Sequence, residues 1–188
     1  MHSKCLNVGY YGRTPRMSHP HAETPSDWVQ RWAPVIPPGG RVLDVASGSG
    51  RHARWLAARG HPVDALDRDA EALAALAAVP SVTTRCADIE NGPWPCERGA
   101  YAAVVVTNYL HRPLFPELLA ALAPGGVLIY ETFAAGNEQY GKPSNPAFLL
   151  QPGELLEIVR DRLWVIAYED LRVTEPKPAF VQRLCAIG

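Results

Sequence analysis

Residues 41–69 read RVLDVASGSGRHARWLAARGHPVDALDRD, and the reading of this stretch decides the fold. It opens on an apolar run, Val42, Leu43 and Val45, interrupted by one acid, Asp44. A loop of small residues follows, Ala46-Ser47-Gly48-Ser49-Gly50, and then a helical pattern from Arg51 to Arg59, closed by Gly60. A second strand, Pro62 to Leu66, ends on Asp67. Strand, glycine turn, helix and strand make the βαβ unit of a parallel sheet. Glycine at 48 and 50 lets a ligand lie over the start of the helix and tolerates a positive φ. Asp67 stands at the carboxyl end of its strand, where ligands bind in open α/β sheets, and a carboxylate there can accept hydrogen bonds from a ribose diol.

Two ligand classes compete for this loop. Gly48-Ser49-Gly50-Arg51-His52-Ala53 fits G-x-G-x-x-G/A, and Asp67 lies 19 residues after Gly48, the fingerprint of dinucleotide binding. Asp44 argues the other way. A negative charge two residues before the loop gains nothing beside a pyrophosphate but suits a ligand carrying an amine or a sulfonium. The order hydrophobic-hydrophobic-Asp-hydrophobic-small-x-Gly-x-Gly resembles motif I of the class I S-adenosylmethionine-dependent methyltransferases, with Ala46 where that family has its first glycine. The resemblance implies that Asp44, Ala46, Ser47, Gly48 and Gly50 face the methionine part of the cofactor. It implies that Asp67, with Arg68 beside it, faces the ribose.

Further matches follow in order along residues 28–188. Asp88-Ile89 comes 21 residues after Asp67, at the end of a third strand, Val82 to Arg85. An acid followed by a bulky apolar residue there resembles the family's adenine position. Tyr101 to Thr107, YAAVVVT, reads as a strand buried on both faces and delivers Asn108-Tyr109-Leu110-His111-Arg112-Pro113 where motif IV falls. Asn108 can donate and accept hydrogen bonds, His111 can take a proton near neutral pH, and Arg112 can hold an anionic group. Asn108 and His111 are therefore the catalytic candidates. LAPGGVLIYE, residues 122–131, resembles the loop and strand that follow motif IV. The layout is loosely similar to the small tellurite-resistance type of methyltransferase.

The remaining elements frame this core. Ser26 is expected to cap a helix from Asp27 to Ala33, whose Trp28 and Trp32 share a face and read as packing against the sheet. Asp69 is expected to cap a helix through Ala78, and Leu114 to Leu122 forms another. Strand five is expected over Val127 to Tyr130. Residues 131–152 are long, polar and rich in Gly, Asn and Pro, which suits a binding loop; Glu131, Tyr140 and Lys142 are its candidate substrate contacts. A helix from Gly153 to Asp161 and a closing antiparallel pair, Leu163 to Tyr168 and Phe180 to Ile187, complete the chain. The expected fold is a Rossmann-like doubly wound α/β sheet, mostly parallel, with helices on both faces.

Composition narrows the function. The 188 residues carry a net charge of −1 and are 47% hydrophobic, ordinary for a globular domain and without the basic bulk of a nucleic-acid binder. Arg51, Arg54 and Arg59 read as a solvated helix face, the one opening for an RNA acceptor. Cys5, Cys86, Cys96 and Cys185 lack metal spacing and read as free thiols of a cytoplasmic protein; no metal is expected. Residues 1–24 read as a flexible arm, with His19 and His21 in an unstructured tail and Met17 an alternative start to Met1; residues 25–188 read as one domain. The leading expectation is in-line methyl transfer from S-adenosylmethionine to a small molecule. An NAD(P)-dependent oxidoreductase and a non-catalytic binding protein are the readings it must exclude.

Overall fold

The computed structural model describes residues 24–188; the expectations for the first 23 residues, the arm, its histidines and the alternative start, lie outside it. Helix α1 (Asp27–Trp32) leads into strand β1 (Val42–Val45), followed by α2 (Arg51–Ala57), β2 (Val63–Asp67), α3 (Ala70–Ala74) and β3 (Val82–Cys86). Strand β4 (Tyr101–Thr107) precedes α4 (Phe115–Ala121), β5 (Leu122–Phe133), α5 (Glu154–Val159), β6 (Trp164–Val173) and β7 (Ala179–Ile187). The seven strands form one sheet in the order β3-β2-β1-β4-β5-β7-β6. β1, β2, β3, β4 and β5 run parallel, and β7 pairs antiparallel with both β5 and β6.

Parallel strands at the centre of such a sheet are covered by helices on both faces and so must be apolar on both. Val42, Leu43 and Val45 of β1 and Val104, Val105 and Val106 of β4 are accordingly buried. Their side chains alternate between two cores: Leu43, Val104 and Val106 join one, and Val42, Ala103 and Val105 the other. The register Val42↔Val63 and Val45↔Leu66, continued by Asp67↔Cys86, brings the carboxyl ends of the first three strands to one rim.

Several boundaries differ from the sequence expectation. β5 begins at Leu122 instead of Val127 because Leu122 pairs with Tyr101 ahead of a register shift, so Pro124-Gly125-Gly126 lies within the strand's span. β6 runs on to Val173, past the expected end at Tyr168, since Glu169 pairs with Arg183 of β7 and the ladder continues to Val173↔Ala179. Trp28 is buried and its indole donates to the Leu184 carbonyl of β7 at 3.2 Å, which seats α1 on the sheet.

Candidate functional site

The rim is built from three strand ends and the loop between β1 and α2. Asp44, in the middle of β1, is almost wholly buried. Burial pushes its carboxyl up to about 7, against the lowering effects of the Ala53 backbone N–H and the Arg51 charge; Asp67 adds a further raising field. Its Oδ2 has no hydrogen-bond partner, and neither has the buried Ser47 Oγ in the loop above it. A buried carboxylate oxygen left unpaired is costly, so this corner fits a cationic group. An amino-acid ammonium meets that requirement; a pyrophosphate would worsen it.

The loop turns through positive φ at Ala46 (53°), Gly48 (55°) and Gly50 (78°). The two glycines serve different ends. A Cβ on Gly48 would meet nothing within 4 Å, so the space above it is open to a ligand. A Cβ on Gly50 would lie 2.3 Å from Leu76 Cδ1, so this glycine admits the chain after α3 against the loop. Ala46 takes the left-handed conformation with a side chain, at a cost of about 1–2 kcal/mol.

Asp67 is oriented by the loop itself. Its Oδ2 accepts the Gly48 N–H at 2.7 Å and its Oδ1 the Asp69 N–H at 2.9 Å, leaving each oxygen a further lone pair. Asp67, Arg68, Asp88, Ile89 and Ala46 line one cleft of about 260 Å³, together with Glu90 and Tyr109. Asp88 is exposed, and hydrogen bonds from the Asn91 side chain and the Glu90 backbone hold its carboxyl below the ordinary range. One carboxylate thus serves both the turn after β3 and the cleft.

Asn108 immediately follows β4, with φ at 55°, and donates its N–H to the Glu131 carbonyl at 2.8 Å. It lies between two further cavities. One, of about 220 Å³, is walled by Tyr109, Leu110, Thr132, Phe133 and Phe148; the other, of about 390 Å³, by Arg51, Glu131, Arg183 and the residues leading into α1. Tyr109 and Glu90 line both the cleft and the smaller cavity, and the Tyr109 hydroxyl donates to Glu90 Oε1 at 3.2 Å.

The other expected site residues are placed differently. His111 is half-buried, immediately before a short 3-10 turn (Arg112–Leu114), and lines neither the cleft nor the adjoining cavities. Arg112 is spent on the protein: Nε and Nη2 donate to Glu154 at 2.7 and 2.9 Å, and Nη1 and Nη2 to the carbonyls of Ala147 and Leu149. Tyr140 accepts from Arg172 Nε at 2.7 Å and stacks on Phe180, away from the cavities; Lys142 is exposed. Glu131 does reach the larger cavity, but Ser26 Oγ and Arg183 Nε already donate to it. Arg59 lies over the Trp55 ring at 3.5 Å and Arg54 bonds the Ser49 carbonyl, so these arginines form no free basic stripe.

Two residues acquire a place that the sequence did not suggest. Arg51 is half-buried at the start of α2, donates to the Thr24 carbonyl at 3.2 Å and faces the charges of both Asp44 and Glu131. His52 is buried and its Nε2 accepts the Ser26 N–H at 3.1 Å, while its Nδ1 meets Thr107 Oγ1 at 3.4 Å. Burial and the Arg51 charge push its pKa down to about 3, so it stays neutral and ties α1, α2 and β4 together. Among the described residues, no cluster of three His, Cys, Asp or Glu is placed to hold a metal ion.

Fold and rim together define an α/β protein with a cleft at the carboxyl ends of its parallel strands, where ligands bind in such sheets. Residues 42–126 match the family model described as a methyltransferase domain. A crystal structure of an S-adenosylmethionine-dependent methyltransferase from Mesorhizobium loti is similar over 85% of this chain and 96% of that one, with a TM-score of 0.65 and 17% identity. TehB from Haemophilus influenzae is similar over 86% of this chain and 61% of its own, with a TM-score of 0.70 and 19% identity. So is the geranyl diphosphate C-methyltransferase of Streptomyces coelicolor, solved with S-adenosyl-L-homocysteine, at 18% identity, a TM-score of 0.62, and coverage of 85% and 78%. Comparison with curated proteins gives no match. The fold is thus the one these S-adenosylmethionine-dependent methyltransferases share, and a methyltransferase-domain match covers residues 42–126 of it.

Proposed function

We propose that this protein is an S-adenosylmethionine-dependent methyltransferase that acts on a small-molecule acceptor in the cytoplasm, with its cofactor lying along the rim from Asp88 to Arg51. The observation that carries the reading is the buried, half-unpaired Asp44 under a glycine loop whose open side adjoins Asp67. Asp67 accepts from the ribose hydroxyls through its remaining lone pairs. Asp88 accepts from the adenine amine, and Ile89 packs on the ring. Asp44 and Ser47 take the ammonium, and Arg51 the carboxylate, of the amino-acid end. Arg68, beside Asp67, adds a positive charge at the cleft.

S-adenosylmethionine supplies a methyl already activated on a sulfonium. In-line transfer would join the acceptor's lone pair to that carbon as the carbon–sulfur bond breaks and its electron pair returns to sulfur. The protein's part is therefore positioning and exclusion of water. Asn108, between the two further cavities, is the residue of this chain best placed to orient an acceptor. The base role expected of His111 and the substrate roles expected of Arg112 and Tyr140 form no part of the proposal, because the first lines no cavity and the others are engaged elsewhere. The size of the cavities favours a small acceptor over a polymer, and the free thiols of Cys96 and Cys185 suit a reducing compartment.

Calorimetric titration tests the reading. S-adenosylhomocysteine should bind at micromolar concentration while NAD and NADP do not, and Asp67→Ala should abolish that binding. Binding of a dinucleotide alone would falsify the proposal.

A further inference from the structure

Phe148 sits at the mouth of the 220 Å³ cavity with 53% of its surface exposed. Nothing about it is loose. Asn145 Oδ1 accepts the Ala147 N–H at 3.0 Å and caps the turn that carries it. Arg112 donates to the Ala147 carbonyl at 2.7 Å and to the Leu149 carbonyl at 2.9 Å, the carbonyls of the residues immediately before and after Phe148. Glu154 fixes that guanidinium through both of its carboxylate oxygens. Leu149 and Leu150, which follow, are buried. A two-point clamp thus holds a large apolar ring in water, an arrangement that costs free energy unless something covers the ring.

The cavity below shows what would cover it. Tyr109 and Phe133 supply two more aromatic walls, Thr132 and Asn108 supply hydrogen-bonding groups, and Glu90 is the one charged residue among the described residues that line it. Among the described residues no Lys or Arg lines this cavity, in contrast to its neighbour with Arg51, Lys177 and Arg183. We propose that this cavity is the acceptor site and takes a neutral or cationic molecule with an aromatic or flat apolar body, stacked on Phe148, while excluding anionic acceptors. The inference rests on the cofactor assignment above, since Tyr109 and Glu90 are the wall shared with the adenosine cleft. Arg112 is a positioning residue in this account, acting through the turn that presents Phe148.

Phenethylamine and phenylacetate share a ring and differ in the sign of their charge, so the pair probes both halves of the proposal. Each is titrated into wild-type protein saturated with S-adenosylhomocysteine, by ligand-observed NMR. Phenethylamine should bind about tenfold more tightly than phenylacetate. Phe148→Ala should weaken it by about fivefold, the worth of one aromatic contact, with the affinity for S-adenosylhomocysteine unchanged. Glu90→Gln should erase the preference between the two probes. Absence of binding by either probe, a preference for phenylacetate, or an unaltered affinity in Phe148→Ala would each overturn the proposal. Failure of the wild type to bind S-adenosylhomocysteine would overturn the cofactor assignment instead, and is read in the same experiment before any probe is added.

Discussion

Gly48 and Gly50 stand two residues apart in one loop, both at positive φ, and still answer to different forces. Both substitutions by alanine carry the left-handed strain of about 1–2 kcal/mol. Only Gly50→Ala adds a clash, with Leu76 at 2.3 Å, and overpacking of that kind costs about 1–3 kcal/mol more. Gly48→Ala places its methyl in the open space over the cleft. Thermal melts and calorimetry should therefore separate the two. Gly50→Ala lowers the melting temperature by at least twice as much, whereas Gly48→Ala weakens S-adenosylhomocysteine by about tenfold or more. Equal melting temperatures would contradict this division. The sequence makes both glycines legible as a ligand loop, but the reason for Gly50 was hidden, because its neighbour lies 26 residues away and only the fold brings it near. Asp44, Asp67 and Asp88 were legible for the opposite reason: each belongs to a βα step of regular length, so strand periodicity alone sets it near the rim.

At the scale of elements, the sheet is laced together by side chains that no local pattern announces. Asp64 of β2 accepts from Arg41 at 2.8 Å, Arg85 of β3 at 2.7 Å and the Tyr101 hydroxyl of β4 at 2.8 Å. Burial alone would raise its carboxyl, but the hydrogen bonds from Tyr101, Arg85 and Arg41 outweigh it and hold the group below the ordinary carboxylate range. A carboxyl depressed in the folded state stabilises above its unfolded pKa, and that contribution is lost as pH falls through the folded value. Asp64→Asn should cost about 2–3 kcal/mol at pH 7, below the full penalty of a broken buried pair because both arginines are about one-third exposed. The gap between the variant and the wild type should narrow as the medium is acidified below the ordinary carboxyl value of 3.8; a gap in urea midpoints that stays constant there would sink the account. The same remoteness hid the Arg112–Glu154 clamp, with partners 42 residues apart, and the Ser26–Glu131 bond, with partners 105 apart. The order of helices and strands was readable from apolar periodicity, whereas ion pairs between elements depend on strand order and register, which that periodicity leaves open.

For the whole molecule, the decisive electrostatic fact is that Asp44 is buried with an unfilled acceptor. Its carboxyl titrates near 7 in the folded chain against 3.8 for the ordinary group. Between those values the folded state holds a proton that the unfolded state has released, so the stability of the ligand-free protein falls as pH rises through that window. A ligand ammonium reverses the balance, because it pairs with the ionised form and drives the proton off. The stabilisation conferred by S-adenosylhomocysteine should therefore grow with pH. At a hundredfold excess over its Kd measured at pH 8, binding to the native state alone is worth about 2.7 kcal/mol, or roughly 5–10 °C in melting temperature for a chain of this size. At pH 5.5 and the same ligand concentration, the shift should be clearly smaller, by about half. Calorimetry in buffers of different ionisation enthalpy should register a proton released on binding near pH 6.5. Asp44→Asn removes the titrating group, so its thermal shift should be smaller than the wild type's at pH 8 and flat across the range. A wild-type shift that shrinks as pH rises would place the cationic end of the ligand somewhere other than against Asp44.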